Sequence, residues 1–481
     1  MKFQLVGFTI GILLATMGIA ELIPAFIDWQ NGHHNATVFF ECSFVSLFFG
    51  GALILSNSAY KRVLDMRQAF LLTTLSWFAM SLIASFPLYL SDLDIDFTDA
   101  FFESLSGITT TGSTVLSGLD NMSHGILLWR SMIQWIGGIG IVAFAIIFLP
   151  FLRIGGMQLF QTESSDRSEK VMPRSRFLII SLLQVYCLLA ILCAATYYLL
   201  GMSWFDALNH ALTTIPTGGY STHDASFGYF DSAPLQLAGA LFMFLGGVPF
   251  VLYIKLLFQG KSTFFEDDQF KVFLGMMVAF TSLLTLWLWL NTDYSVGNSF
   301  RYAVFNIISV VTTTGFATTD YTLWGPFPIA FLFFLTYLGA CAGSTTGGLK
   351  VMRITIVAKT VKKQLNTLLH PHGIFTVRYQ GKPVEQSITI AVLSFLGLYV
   401  TSNVVLTILL SWTGLDFATA ISGAATAIAN VGPGIGNVIG PAGNFASLPD
   451  TAKWLLCAGM LIGRLEIMTV IVLFRHQFWY Y

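Results

Sequence analysis

The stretch VVTTTGFATTD, Val310 to Asp320, determines how the chain is to be read. It sets three consecutive threonines against a glycine inside a chain that is 55% hydrophobic and only 10% charged. Threonine is stiff at χ1 and glycine is a poor helix former, so the stretch should not be helical. A bilayer does not accept unpaired backbone polar groups. A related string, GITTTGSTV, runs from Gly107 to Val115.

On both sides of this stretch, apolar runs long enough to cross a bilayer recur along the chain, and the class is integral membrane protein. Spans are expected near Phe3–Ile23, Phe39–Leu55, Phe70–Leu90, Leu127–Leu152, Phe177–Leu200, Leu235–Phe258, Val272–Leu290, Ile329–Val361 (interrupted), Ile388–Ser411 and Trp454–Phe474. The first lacks a convincing small-residue cleavage site and runs on into more membrane, so it reads as a span and not a signal peptide. The five cysteines fall in or near apolar spans without a C-x-x-C pair, the pattern of small core residues.

Charge is nearly balanced overall but unevenly placed. Lys61, Arg62 and Arg67 share a loop, as do Arg153, Arg167, Lys170, Arg174 and Arg176, then Lys255, Lys261 and Lys271, then Arg353, Lys359, Lys362, Lys363, Arg378 and Lys382. These loops belong to one side, which the positive-inside rule makes cytoplasmic together with both termini. The opposite loops carry Asp92, Asp94, Asp96, Asp120, Asp224, Asp231, Asp293 and Asp320. They are either the simple complement of basic inner loops or a cation-attracting vestibule.

The threonine–glycine string is part of a fourfold repeat. FTDAFFESLSGITTTG (Phe97–Gly112), FDALNHALTTIPTGG (Phe205–Gly219), FRYAVFNIISVVTTTG (Phe300–Gly315) and FATAISGAATAIANVG (Phe417–Gly432) share a phenylalanine, an early alanine and a final glycine. The second is one residue short. Matching GYSTHD to GFATTD places Gly219 at the repeat's glycine position, with Gly218 as the alternative. Each segment begins with a semi-apolar piece too short to span and lies between two long spans. The unit is span, short helix, extended strand, span. The fold class is therefore all-α integral membrane: four pseudo-symmetric span–pore helix–filter–span repeats around a central pore, plus two N-terminal spans. The segments are 1–66 for the first two spans, then 67–153, 174–260, 270–365 and 386–478 for the repeats.

Non-helical backbone at membrane depth survives where protein buries it or water lines it. Four such strands around an axis can present carbonyl oxygens that replace the hydration shell of a monovalent cation. Glycine supplies the φ values, threonine hydroxyls add oxygens, and the short helices aim their negative C-terminal ends inward. The plainer reading is that Gly/Thr-rich turns merely close re-entrant loops. The candidate filter residues are Thr110, Thr111, Gly112, Ser113, Thr217, Gly218, Gly219, Thr313, Thr314, Gly315, Asn430, Val431 and Gly432.

ESLSGITTTGSTV, DALNHALTTIPTGGYSTHD, NIISVVTTTGFATTD and AIANVGPGIG resemble the four pore loops of the Trk/Ktr/HKT superfamily of cation transporters, most nearly the TrkH/TrkG-type membrane subunits of the bacterial Trk potassium-uptake system. The resemblance covers essentially the whole chain. Glycine at the first filter position goes with potassium in that family, and serine with sodium, so Gly112 implies potassium as the transported ion and no cofactor. The fourth loop departs from the pattern, having no threonines and carrying Pro433. The resemblance further implies the bacterial inner membrane, a homodimer and a cytoplasmic nucleotide-binding regulatory subunit of TrkA type, for which Arg353–Lys363 offers a basic docking face or simply a solvated one.

The span after the third filter is interrupted by LGACAGSTTGGLK, where small and polar residues should break the helix at 338–350. It lacks the Gly-Lys-Ser/Thr ending and the preceding strand of a phosphate loop. It is either a kink for close packing or a loop obstructing the pore. The family carries an intramembrane gating loop at the matching place, which implies gate residues Gly339, Gly343, Ser344, Thr345, Thr346, Gly347, Gly348 and Lys350. Arg464 lies within the last span, where a charge costs roughly 2.5–3.5 kcal/mol on insertion scales and must face inward. It is a structural anchor or, as the family implies, an electrostatic barrier beside the loop. The expected function is channel-like potassium uptake. A proton- or sodium-coupled symporter is the alternative, with Glu103, His210, Arg464 and Glu466 as the few titratable candidates. No nucleophile–base set or metal-ligand spacing suggests an enzyme, and nothing suggests nucleic acid.

Overall fold

The computed structural model describes residues 3–58, 65–147, 171–260 and 263–480. Lys61, Arg62, Arg153, Arg167, Lys170 and Lys261, among the basic loop residues, lie outside this set. Two long helices open the chain, α1 (Gln4–Gln30) and α2 (Asn35–Ser56). They pack closely because Gly11 and Gly50 face each other: a Cβ on Gly50 would sit 2.7 Å from the Ala15 nitrogen and 2.8 Å from the Gly11 carbonyl oxygen. Small residues let helix backbones approach in a bilayer.

Four span–short helix–span units follow. The first is α3 (Met66–Leu90), α4 (Phe97–Ile108) and α5 (His124–Ile147). The second is α6 (Val171–Leu199), α7 (Trp204–Thr214), α8 (Ala233–Gly246) and α9 (Phe250–Gln259). The third is α10 (Asp268–Asn291), α11 (Val296–Val311), α12 (Pro326–Thr336) and α13 (Val351–Leu369). A two-residue β-hairpin (Arg378–Tyr379 with Lys382–Pro383) leads to the fourth: α14 (Gln386–Trp412), α15 (Phe417–Ala429), α16 (Asp450–Arg464) and α17 (Ile467–Ile471).

The short helices start where the sequence caps them. Ser203, Ser295 and Asp416 accept from the backbone N–H of Asp206, Asn298 and Thr419, the arrangement of an N-cap. At 12, 11, 16 and 13 residues they fall short of the roughly 20 needed to cross. Their arrangement is cyclic. Each packs on its own first span, and each also packs on the second span of the preceding unit: α7 on α5, α11 on α8, α15 on α12, and α4 on α16. The fourth unit thus closes on the first.

Among the described residues seven helices are long and apolar enough to cross a membrane, and two bent pairs add candidates. Two spans expected to be continuous are broken. α8 and α9 meet at 88° around Gly247–Pro249, where proline has no N–H to offer the helix. α16 and the segment from α17 to Phe474 meet at 109°, directly after Arg464, with Glu466 at φ 65°. Both breaks face the interruption at 338–350.

Replacing Gly50 with valine forces α1 and α2 apart. The expected cost is about 1–3 kcal/mol, seen as a lower melting temperature of the detergent-solubilised protein. An unchanged melting temperature would show that the two helices do not depend on this contact.

Candidate ion pathway

The four short helices end in one motif. At the end of α4, the Thr110 N–H bonds the Gly107 carbonyl three residues back and the Thr111 N–H bonds Ser106 five back. The same pair recurs as Thr217 to Thr214 with Gly218 to Thr213, Thr313 to Val310 with Thr314 to Ser309, and Asn430 to Ala427 with Val431 to Thr426. This is a Schellman cap, whose left-handed residue is usually glycine. Here it is threonine three times and asparagine once, at φ 50°, 55°, 56° and 56°. A β-branched residue in that region is an outlier, and such strain persists only where surroundings enforce it.

Two residues on, each strand has a glycine with positive φ: Gly112 (84°), Gly219 (79°), Gly315 (83°) and Gly432 (103°). Each lies against a carbonyl of the next unit. A Cβ on Gly112 would overlap the Gly218 carbonyl oxygen, one on Gly219 that of Thr314, and one on Gly315 that of Val431. On Gly432 it would meet the Thr111 oxygen at 2.9 Å. The contacts run in order around a closed ring. The register makes Gly219 the equivalent of the other three glycines, with Gly218 in the place of Thr111, Thr314 and Val431.

All four ring glycines border one hollow of about 500 Å³, which Asp224, His223, Ser221 and Arg130 also line. On the other face lies the interruption between α12 and α13. It is not a kinked helix but a compact loop with its own bonds: Gly339 N–H to Leu349 O at 2.7 Å, Leu349 N–H to Tyr337 O at 3.1 Å and Val351 N–H to Ala340 O at 3.0 Å. The broken second span receives it, since Phe250 N–H bonds Gly343 O at 2.9 Å and Cys341 N–H bonds Gly247 O at 3.1 Å.

Three of the four left-handed residues meet this loop. The Thr313 hydroxyl accepts from Gly347 N–H at 2.7 Å, the Thr217 hydroxyl donates to Thr345 Oγ1 at 3.2 Å, and a Cβ on Gly347 would sit 3.1 Å from that of Asn430. Arg464, buried at the end of α16, donates from Nη2 to the Thr345 carbonyl at 2.9 Å. Beneath is a small hollow of about 30 Å³ bordered by Lys350, Arg353, Arg464 and Glu466.

A family model described as TrkH, cation transport protein, matches residues 35–480. The chain belongs to the TrkH family of cation transport proteins. It is 48% identical over 413 residues to the Trk system potassium uptake protein TrkI of Halomonas elongata, covering 86% of this chain and 84% of that one. It is 36% identical to the Trk system potassium uptake protein TrkH of Salmonella typhimurium over the whole length of both. The crystal structure of the potassium transporter TrkH from Vibrio parahaemolyticus matches with a TM-score of 0.92, at 35% identity over all of both chains.

In this TrkH-family chain the thirteen residues of the four strands come together in one ring, and the loop residues come together beneath it. Lys350 folds back on the Thr346 carbonyl. Glu466 does not pair with Arg464; its carboxylate bonds Arg353 at 2.6 Å. Glu103 is fully buried against Arg130 at 2.9 Å, and buried His210 lies between the Asp206 carbonyl and the Ser221 hydroxyl. Of the eight acidic residues assigned to the outer loops, Asp224 borders the large hollow. Others serve structure: Asp92 bonds Asn35, Asp231 pairs with Arg301, and Asp320 caps a short 3-10 turn at Thr322.

Sequence reading passes over Arg130, Gln134 and His223. The first two sit in an apolar span one helical turn apart, and an ionisable group in such a place is itself a signal. His223 joins two units at the outer face, with Nδ1 2.5 Å from Asp120 and Nε2 3.4 Å from Asp206, its ring stacked on Tyr229 at 3.5 Å. Burial works against its charge, but the bonds to Asp206 and Asp120 outweigh this and hold its pKa above the ordinary imidazole value. The same bond holds Asp120 below the usual carboxylate range. A histidine with a raised folded pKa stabilises the fold while protonated, and that contribution disappears as pH rises through the folded value. The melting temperature is therefore expected to fall as pH rises above the ordinary imidazole range of about 6.5, and less so in His223→Gln. Parallel pH profiles for the two proteins would refute this.

Proposed function

We propose that this chain mediates channel-like potassium uptake through the ring, with the loop at 338–350 as its gate. The observation that carries the reading is the closed succession of glycine-to-carbonyl contacts, Gly112 to Gly218, Gly219 to Thr314, Gly315 to Val431 and Gly432 to Thr111. It packs backbone oxygens of four strands around one axis in a site that needs no ionised ligand, which suits a weakly hydrated monovalent cation. The names of the relatives, potassium uptake proteins of a Trk system, support potassium as that cation.

The four pore units are 67–153, 174–260, 270–365 and 386–478, after an N-terminal pair of spans at 1–66. The chain lies in the bacterial inner membrane with both termini in the cytoplasm, consistent with the basic loops on that side. The relatives' Trk-system names suggest a partner, read here as a TrkA-type nucleotide-binding subunit that acts on the loop through α13, with a homodimeric assembly. Loop and ring are joined through Thr217 and Thr313, and Arg464 holds the loop from below.

Flux of potassium against sodium into liposomes, wild type against Gly112→Ser, tests the ring. The substitution is expected to lower potassium selectivity by at least tenfold, on the order of 1.4 kcal/mol. A mutant that keeps both flux and selectivity would remove the ring from the permeation path. Arg464→Ala removes a hydrogen bond from a charged donor, worth about 1.5–3 kcal/mol, so the loop is released more often and flux rises on the order of tenfold. Unchanged flux in a folded mutant would show that Arg464 does not hold the gate.

A further inference from the structure

Among the described residues, one side chain bonds a carbonyl against which a ring glycine rests. Gln134, fully buried on α5, donates from Nε2 to the Gly218 carbonyl oxygen at 2.7 Å and accepts at Oε1 from the Tyr220 N–H at 3.1 Å. Its carboxamide thus bridges the two peptides that flank Gly219. The Gly218 carbonyl is also the atom against which Gly112 rests. Among the described residues no side chain bonds the equivalent carbonyls of Thr111, Thr314 or Val431. The second wall is therefore held in a way the other three are not.

One turn earlier on the same face, Arg130 supports the same wall. It is 1% exposed. Its Nη1 donates to the Ser221 carbonyl at 3.0 Å, its Nε to Glu103 at 2.9 Å and its Nη2 to the Thr114 hydroxyl at 3.2 Å, and its guanidinium lies 4.2 Å from the centre of the Tyr220 ring. Glu103 in turn accepts from the Thr114 hydroxyl and from the Val115 N–H, so first and second walls share one buried charge pair. Tyr220 completes the frame by donating to the Glu103 carbonyl at 2.7 Å.

This frame accounts for the doubled glycine. A Cβ on Gly218 would overlap the Gln134 carboxamide, so the position is glycine to admit Gln134, whereas Gly219 is glycine for its positive φ. In the first and third walls the same position is Thr111 and Thr314, whose hydroxyls bond Thr109 and Thr312 of their own strands. The second wall has exchanged an internal hydroxyl pair for an external amide.

We propose that Gln134 is a specificity-determining positioning residue: by bonding the Gly218 carbonyl and the Tyr220 N–H it fixes the orientation and electron density of the second wall's oxygen, and so tunes which monovalent cation the ring prefers. A carbonyl that already accepts one hydrogen bond offers a cation a weaker field than a free one, and selection among such cations depends on the number and field strength of the oxygens. Arg130 supports the geometry without touching the ring oxygen. The inference rests on the ring being the permeation path.

The test is Gln134→Leu in liposomes, reading KM and Vmax for potassium and for sodium. Losing the bond is expected to shift the ratio of the two KM values about fivefold, the amount one hydrogen bond typically contributes. A purely structural role would lower Vmax or yield for both ions and leave that ratio alone. Should the leucine variant not reach the membrane, Gln134→Met, longer and more adaptable, provides the same reading. A KM ratio equal to wild type in whichever variant folds overturns the proposal. Gly112→Ser separates the two levels: if it alters selectivity and the Gln134 variant does not, the positioning role fails alone; if neither does, the ring reading fails first.

Discussion

Each ring glycine leaves space that the next unit's carbonyl fills. That one steric constraint, applied four times in a circle, governs the rest of the molecule. The strands cannot be helical and still make it, so the short helices must stop, and each stops with a residue forced into the left-handed region. Backbone groups released at those ends need partners inside the protein, since lipid offers none. The cyclic packing of every short helix on the preceding unit's second span supplies the surrounding wall, and the two N-terminal helices lie outside this circle.

The choice of threonine at the left-handed positions follows from what lies on either side. Glycine there would be less strained; at two of the three threonines the hydroxyl reaches a partner in the loop, whereas the buried Thr110 hydroxyl has no hydrogen-bond partner among the described residues. Thr217 and Thr313 use theirs to meet Thr345 and the Gly347 N–H. Asn430, which tolerates that conformation better than threonine, uses its amide to reach the Thr111 hydroxyl at 2.9 Å and the Met460 carbonyl at 2.9 Å. The three threonines of a run therefore play three different parts. The first ends the helix, the second makes the left-handed turn, and the third forms the wall.

The repeat was legible because its glycines are a backbone requirement, and backbone requirements leave a mark in residue type. Of the ten spans expected, seven helices, or nine with the two bent pairs, are long and apolar enough to cross among the described residues; the all-helical membrane class was legible from hydropathy. The breaks at Gly247–Pro249 and after Arg464 were not, because each lies within a run whose average hydropathy remains that of a span, and the reason for breaking is a loop distant in sequence. The partnership of Glu466 with Arg353 was hidden for the same reason: neighbours in sequence, Arg464 and Glu466, point to different elements. Arg130 and Gln134 were overlooked because the second wall's glycine pair reads as an ambiguity of alignment, when each glycine answers a different neighbour. The fourth wall's missing threonines look like a departure, yet Asn430 and Gly432 adopt the same turn.

The seam between Gly432 and Thr111 has more room than the other three. It joins the last quarter of the chain to the first. During synthesis the first three quarters can settle against one another in turn as they emerge, and the circle closes only when the fourth arrives. The room is therefore greatest at the one joint that has to be made against a surface already in place, and side chains bridge it: the Ser113 hydroxyl donates to the Gly432 carbonyl at 3.0 Å and the Asn430 amide to the Thr111 hydroxyl. A chain that carries all four walls in one polypeptide has a beginning and an end, and side chains join the two across the ring.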